Sequence, residues 1–467
     1  MTKAVATSPE GPSKAPRVSF WTLGCRLNQY DTAALRARLL GAGLTESREG
    51  EASAEILVVN TCTVTRRADQ EARQLIRKLH RVAPGSRIVV TGCYAQRAPE
   101  EIRSLPGVTA VLGAAEREHP DTLLRAVGAR AAAGPFVAVG PGRAARPFAT
   151  EAPRHAGRSR ALLKVQDGCD SFCAFCVVPY VRGRSRSLPL GEALERAGRL
   201  LEAGFLEIVL TGADLGDYGR DLGQDGALPR LVEGILGLGI RHRVRLSSIE
   251  PHKVDPALAA MIGVTPRLCR HLHLPLQSGS NRVLRAMRRG YTREDYGSLL
   301  AGLAERGPVG IGADVIVGFP GEGDAEFEET RRFLEEAPVT FLHVFRYSTR
   351  PGTAAARLSG GVPEARARER SEILRALGEA KTRALRRALV GARLGVVLER
   401  GRGARGPLGM SDLYVPVELD QDPDSGEGIL DVTITGEDGV RLLGTPVSRS
   451  VGARTVSERA VSDRLTL

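Results

Sequence analysis

Three cysteines in one short stretch, Cys169, Cys173 and Cys176, are the residues of this sequence best equipped for chemistry. They form a C-x3-C-x2-C group within Gly168-Cys169-Asp170-Ser171-Phe172-Cys173-Ala174-Phe175-Cys176. Three thiolates from one loop can hold three irons of a [4Fe-4S] cluster and leave the fourth iron open to a small molecule. A zinc site short of one ligand and a group of buried structural thiols are the alternatives, although zinc sites favour C-x2-C pairs and four ligands. Cys25, Cys62 and Cys93 are scattered in sequence, yet each follows an apolar run by one to a few residues. The seventh cysteine, Cys269, comes just before such a run and reads as a buried thiol.

The elements that must position these thiols follow from hydrophobic pattern. Val18–Leu23, Glu55–Asn60 and Arg87–Thr91 read as strands, each leading into a helical stretch. After the second strand, Val64, Ala68, Ala72, Leu75, Ile76 and Leu79 share one helical face. Strands alternating with helices imply a parallel sheet covered on both sides. Parallel strands end on a common edge where ligands bind, so Cys25, Cys62 and Cys93 are expected to converge there. Residues 131–158, rich in Ala, Gly, Pro and Arg, read as a linker.

Six further strands are expected at Ala161–Gln166, Leu206–Leu210, Arg243–Ser247, His271–Leu276, Gly312–Val317 and Phe341–Tyr347. With helices such as Gly191–Ala203 and Ala325–Glu336 between them, they imply a partial barrel of six βα units, its site at the C-terminal ends of the strands. Short alternating runs at Val396–Glu399, Leu413–Glu418, Ile429–Thr435 and Val440–Leu443 imply a small C-terminal β-barrel or sandwich. The fold class is therefore α/β. The expected organisation is a tail to residue 16, a parallel-sheet domain over 17–130, the linker, a barrel over 159–386, a β-domain over 389–452 and a second tail.

The stretch Gly168–Cys176 resembles the signature of radical S-adenosylmethionine enzymes, and Phe175 before the last cysteine fits that pattern. The resemblance extends over almost the whole chain to the methylthiotransferases, which carry a three-cysteine domain, a radical barrel and a small β-domain called TRAM. Gln166-Asp167-Gly168-Cys169 and Val177-Val178-Pro179-Tyr180-Val181-Arg182-Gly183-Arg184 are both typical of them. Among their branches, Thr22–Tyr30, Asn60–Thr65 and Arg245–Pro251 resemble the one acting on threonylcarbamoyladenosine in tRNA. The isopentenyladenosine branch and the branch acting on a ribosomal protein are the alternatives.

The resemblance implies two [4Fe-4S] clusters, one on Cys169, Cys173 and Cys176 and one on Cys25, Cys62 and Cys93. It implies S-adenosylmethionine on the first, with Phe175, Gly212, Ser247, Glu250 and Gln277 as candidate cofactor-binding residues at strand ends. The implied partners are a tRNA anticodon stem-loop and a reductant such as flavodoxin or ferredoxin. Arg182, Arg184 and Arg186 are candidate RNA contacts on the barrel rim. Arg245 and Arg288 are candidate cations for the carboxylate of a threonylcarbamoyl group. His271 and His273 alternate along one strand, which leaves at most one facing the site, and both read as satisfied structural histidines.

The bulk composition agrees with these expectations. The formal net charge is +12, which favours a polyanionic partner. The basic stretch Glu364–Arg393 is either a solvated helix face or a phosphate contact. No run reaches the ~18 apolar residues of a membrane span, so the expected setting is the cytoplasm, without membrane partners. A two-cluster electron carrier is a remote alternative, since a carrier needs neither a six-unit barrel nor a basic appendage.

Overall fold

The computed structural model describes residues 15–47, 54–129, 134–142, 159–423 and 428–447. The expected tails fall outside these apart from residues 15–16, as does the expected linker apart from 134–142. The chain divides into two compact units, one of residues 1–63 and 67–149, the other of residues 64–66 and 150–467.

The first unit is built on a parallel sheet. Its strands are β1 (Arg17–Thr22), β2 (Thr45–Glu46), β3 (Ile56–Thr61), β4 (Arg87–Gly92), β5 (Val108–Leu112) and β6 (Phe136–Ala138), in the order β2-β1-β3-β4-β5-β6. The central strand β3 is buried along its whole length. Alternation sends Leu57 and Val59 to one side, against Ala72, Ile76 and Leu79 of helix Arg66–Val82. Ile56 and Val58 go to the other side, against Leu35 and Leu39 of helix Arg26–Gly41. A strand buried on both faces must read as a continuous apolar run, and Ile-Leu-Val-Val does.

Three corrections arise in and beside this unit. Val64 lies before the helix rather than on its apolar face and is exposed. Strands β2 and β5 add to the three expected. Phe136–Ala138 pairs in parallel with β5, inside the stretch expected to be structureless linker.

In the second unit, all six expected barrel strands are present. They are β7 (Arg160–Lys164), with a short continuation β8 (Gln166–Asp167) pairing with β9 (Arg186–Ser187), then β10 (Glu207–Thr211), β11 (Arg243–Leu246), β12 (His271–His273), β13 (Gly310–Val317) and β14 (Phe341–Arg346). Parallel sheets β11-β10-β7 and β12-β13-β14 are joined by the parallel bridges Val244–Leu268 and Ser248–His273. The C-terminal part is a closed five-stranded barrel, ordered β15 (Arg393–Arg402), β16 (Pro407–Ser411), β17 (Pro416–Leu419), β19 (Leu442–Pro446) and β18 (Leu430–Glu437). Strand β16 has no counterpart in the expected pattern, because Pro407 and Gly409 mask it.

A buried ion network joins the two barrels. Glu207, at the start of β10, is fully buried and accepts from Arg243 at 2.6 Å and Arg245 at 2.7 Å. The same guanidinium groups donate onward to backbone carbonyls of the small barrel, Arg243 to Gly395 and Met410, Arg245 to Ser411 and Asp412. Arg245 also lies 5.2 Å from the ring centre of Tyr414. Arg245 is thus an internal strut, which removes it as a cation for substrate. Burial pushes the Glu207 carboxyl up, but Arg245 and Arg243 outweigh that and hold it well below the usual carboxylate range.

Helix Glu364–Ala388 braces the same unit and uses much of its charge internally. Arg370 is buried on Glu322 and Asp324, Lys381 donates to the carbonyls of Glu335 and Ala337, and Arg386 donates to that of Gly439. Several cations of the expected phosphate-gripping stretch are therefore occupied within the fold. No described helix is long and apolar enough to cross a membrane.

Glu207→Gln leaves two buried guanidinium groups facing a neutral amide. Denaturant unfolding should show this unit weakened by about 3–5 kcal/mol. In the unaltered protein the contribution of Glu207 is fully present above the unfolded carboxylate pKa of about 4.3 and is lost as pH falls below it towards the depressed folded value. Unfolding midpoints of the variant and the parent should therefore converge in acid.

Candidate functional site

The loop carrying Cys169, Cys173 and Cys176 is closed at its base by the β8–β9 ladder, which pairs Gln166 with Ser187 and Asp167 with Arg186. Asp167 is buried and gathers four donors: the Gly168 amide at 2.9 Å, Arg182 at 3.0 Å, Arg186 at 2.9 Å and Lys164 at 3.3 Å. Gly168 has φ +76°, and a Cβ there would strike the carbonyl of Arg184, so only glycine lets the two arms approach. The Gln166 amide donates to the Gly168 carbonyl at 2.9 Å and accepts from the Asp214 amide at 2.8 Å, tying the loop to the end of β10.

Each of the three sulfurs has an N–H directed at it. Ser171 N–H donates to Cys169 Sγ at 3.4 Å, Val178 N–H to Cys176 Sγ at 3.4 Å and Arg289 Nη1 to Cys173 Sγ at 3.1 Å. Burial pushes the Cys169 thiol up to about 12, and burial raises Cys173 and Cys176 as well. Without a metal these thiols stay protonated, and the charge of an iron cluster is what would stabilise them as thiolates.

Two charged groups flank the sulfurs. Lys253 donates to Asp214 at 2.6 Å, Asp217 at 2.8 Å and Ser171 Oγ at 3.0 Å. Arg289 binds the Glu250 carboxylate through both terminal nitrogens. Around them, Asp214 Oδ1, Ser247 Oγ and Gln277 Oε1 are buried without a hydrogen-bond partner among the described residues. All three follow the C-terminal ends of β10, β11 and β12. Orphaned buried polar atoms beside an incomplete thiolate set fit a ligand rich in ammonium, carboxylate and hydroxyl groups, such as S-adenosylmethionine.

The expected cofactor residues are distributed as follows. Phe175 packs with Ala174, Val283, Met287 and Phe319 behind the loop. Gly212 touches Gln166, a Cβ there meeting Oε1 at 2.8 Å. Ser247 and Gln277 offer their orphaned oxygens, whereas Glu250 is engaged by Arg289. Arg289, Lys253 and Asp217 were missing from the sequence expectation, because no spacing ties them to the cysteines. Arg288 is exposed, and it is its neighbour that turns inward.

The rim arginines need correction. Arg182 is buried on Asp167, and Arg186 spends its guanidinium on the same carboxylate. Of the three, only Arg184 is well exposed, with Asp170 beside it. Cys269 is buried as expected.

In the first unit, Cys25 follows β1, Cys62 follows β3 and Cys93 follows β4. A Cβ on Gly24 would meet Cys62 Cβ at 2.6 Å, so these two loops touch. Asn28 stitches the edge together, donating to the carbonyls of Leu23 at 2.7 Å and Thr61 at 3.1 Å, with Oδ1 4.0 Å from Cys93 Sγ. Asn60 in turn donates to the Asn28 carbonyl at 2.9 Å. All three cysteines follow strands of this sheet, Cys25 exposed and Cys62 and Cys93 buried.

A partial parallel barrel with a three-thiol loop at its strand ends defines a radical S-adenosylmethionine enzyme, and residues 163–334 match the Radical SAM superfamily. Residues 17–113 match the family described as Uncharacterized protein family UPF0004. The threonylcarbamoyladenosine tRNA methylthiotransferase of Bacillus subtilis (strain 168) is 41% identical over 371 residues, covering 78% of this chain and 80% of the relative. Its namesake in Aquifex aeolicus (strain VF5) is 38% identical over 366 residues, covering 78% and 88%. A tRNA-2-methylthio-N(6)-dimethylallyladenosine synthase of Jannaschia sp. (strain CCS1) is 33% identical over 429 residues, covering 90% and 92%. The chain belongs to the radical S-adenosylmethionine methylthiotransferase family. In fold it also resembles the radical S-adenosylmethionine methyltransferase TsrM from Kitasatospora setae, with a TM-score of 0.54 at 16% identity over 83% of this chain and 79% of that one.

Arg289 donates to the Cys173 sulfur, so Arg289→Met should leave a cluster that is harder to reduce. A unit charge removed from about 5–8 Å at an effective dielectric of about 20 corresponds to a shift of roughly 90–140 mV to more negative potential. Redox titration followed by electron paramagnetic resonance reads this directly, and an unshifted potential would show that Arg289 serves only Glu250.

Proposed function

We propose that the enzyme methylthiolates C2 of threonylcarbamoyladenosine beside the anticodon of tRNA, and that Cys25, Cys62 and Cys93 hold a second [4Fe-4S] cluster. The observation carrying this reading is the 41% identity over most of both chains with an enzyme that bears this substrate in its name. The dimethylallyladenosine relative, at 33%, supports the second reading, in which the chemistry is the same and the base carries an apolar group.

An aromatic C–H is hardly acidic, so acid–base groups alone do not replace it by C–S–CH3. When bound, the cluster and S-adenosylmethionine supply a carbon radical for that step. The chain's own contribution is positioning. Asp167 sets the shape of the cysteine loop. Ser171, Val178 and Arg289 direct N–H groups at the sulfurs. Ser247, Gln277 and Asp214 offer unpaired polar atoms to the cofactor. The target base leaves its stack to reach the barrel mouth. Arg184 and the exposed arginines of helix Glu364–Ala388 are available for backbone phosphates. A small protein reductant such as flavodoxin or ferredoxin supplies the electron.

Two measurements test this reading. Anaerobically reconstituted enzyme should hold about eight irons per chain, and replacing Cys25, Cys62 and Cys93 by Ala should halve that while 5′-deoxyadenosine is still released. An undiminished iron count removes the second cluster. In a competition between purified tRNAs, the one bearing threonylcarbamoyladenosine should be methylthiolated far faster than the one bearing isopentenyladenosine, because a site built for polar groups rejects an apolar analogue by about 10⁴–10⁵. Comparable rates would favour the second reading.

A further inference from the structure

Three adjacent strands of the barrel bring two imidazoles and a carboxylate together. His273 ends β12, Asp314 lies within β13 and His343 within β14. His273 Nε2 is 3.0 Å and His343 Nδ1 3.3 Å from the same oxygen, Asp314 Oδ1, and the three atoms all lie within 4.8 Å of one another. The two rings are stacked, with centres 5.3 Å apart. We propose that His273, Asp314 and His343 form a binding site for one divalent transition metal, separate from the iron–sulfur clusters.

Bonds of about 2.0–2.1 Å from Zn to N and O put neighbouring ligand atoms roughly 3.0–3.4 Å apart in octahedral or tetrahedral geometry. The two ligand contacts to Asp314 already have those lengths. Two histidines and one carboxylate on one side of an ion are the donor set of open N/N/O sites for zinc, iron(II) or cobalt(II). The backbone makes room for it: a Cβ on residue 312 would meet His273 Nδ1 at 2.6 Å, so Gly312 lets the ring occupy this place.

The site is also accessible. On β14, Leu342 faces helix Glu364–Ala388, where it meets Gly378, while the His343 side chain is 61% exposed on the opposite face. Asp314 shares its face of β13 with Ile316, which packs against the hydrophobic cluster that includes Ala174 of the cysteine loop. Two residues of strand separate them, about 6–7 Å. An ion held here would thus keep coordination positions open on the face that carries the radical-generating loop.

A structural role alone, in which both imidazoles merely donate to Asp314, predicts no metal affinity. The test uses the enzyme with its clusters assembled and oxidised, so that the cysteines are occupied, dialysed against micromolar cobalt(II). Metal analysis should find roughly one cobalt per chain, with a high-spin signal of nitrogen and oxygen ligation. His343→Ala, at an exposed position, should keep fold and cluster absorbance but weaken cobalt binding at least tenfold, about the scale seen even for changes in outer-shell partners. Asp314→Ala should abolish it. Absence of bound cobalt in the parent enzyme, or equal retention in both variants, would overturn the proposal.

Discussion

The cysteine loop of the barrel depends on one buried carboxylate. Asp167 receives an amide and three cations from both arms of the loop, and that convergence shapes the segment from Gly168 to Arg186. Burial pushes the Cys169 and Cys176 thiols up, so the charge at the base of the loop comes from Asp167 and its donors. A buried carboxylate with every donor satisfied is tolerable, whereas three cations left without it would not be. Hydrogen bonds and charge gathered on Asp167 thus help to shape the loop that carries the three thiols.

A similar principle operates at the other end of the barrel. Glu207 neutralises two guanidinium groups that reach into the carbonyls of the C-terminal barrel. His271 lies 4.6 Å from Tyr414 of that barrel, so the closed end is sealed by an aromatic contact as well as by charge. His273 stands two residues further along the same strand, hence on the same face as His271, which corrects the expectation that the two alternate. The small barrel is thus a part of the enzyme's framework, and removing it would expose Glu207, Arg243 and Arg245 together.

These networks change the meaning of the net charge. A surplus of +12 was grounds to expect a polyanionic partner, with the rim arginines and the last long helix as its contacts. Arg182, Arg186, Arg243, Arg245, Arg370 and Arg386 instead hold carboxylates or carbonyls inside the protein. The exposed remainder, Arg184 among it, is what a phosphate backbone could meet.

The sequence by itself determined the α/β class and all six barrel strands. Cysteine spacing and apolar runs are local signals, and a strand buried on both faces has little freedom to read as anything else. It also placed Gly212, Ser247 and Gln277 after strand ends. What it left out was held by contacts between residues remote in the chain. Arg289 reaches Cys173 across 116 positions, and Arg245 reaches Asp412 across 167. Strand β6 pairs along the edge of β5, and β16 pairs within the closed barrel. Whether a guanidinium faces water or a buried carboxylate depends on which chain segment folds over it. Charge type is written in the sequence, but its partner is chosen by tertiary packing, because Coulombic attraction and hydrogen bonding act through space and carry no record of sequence distance.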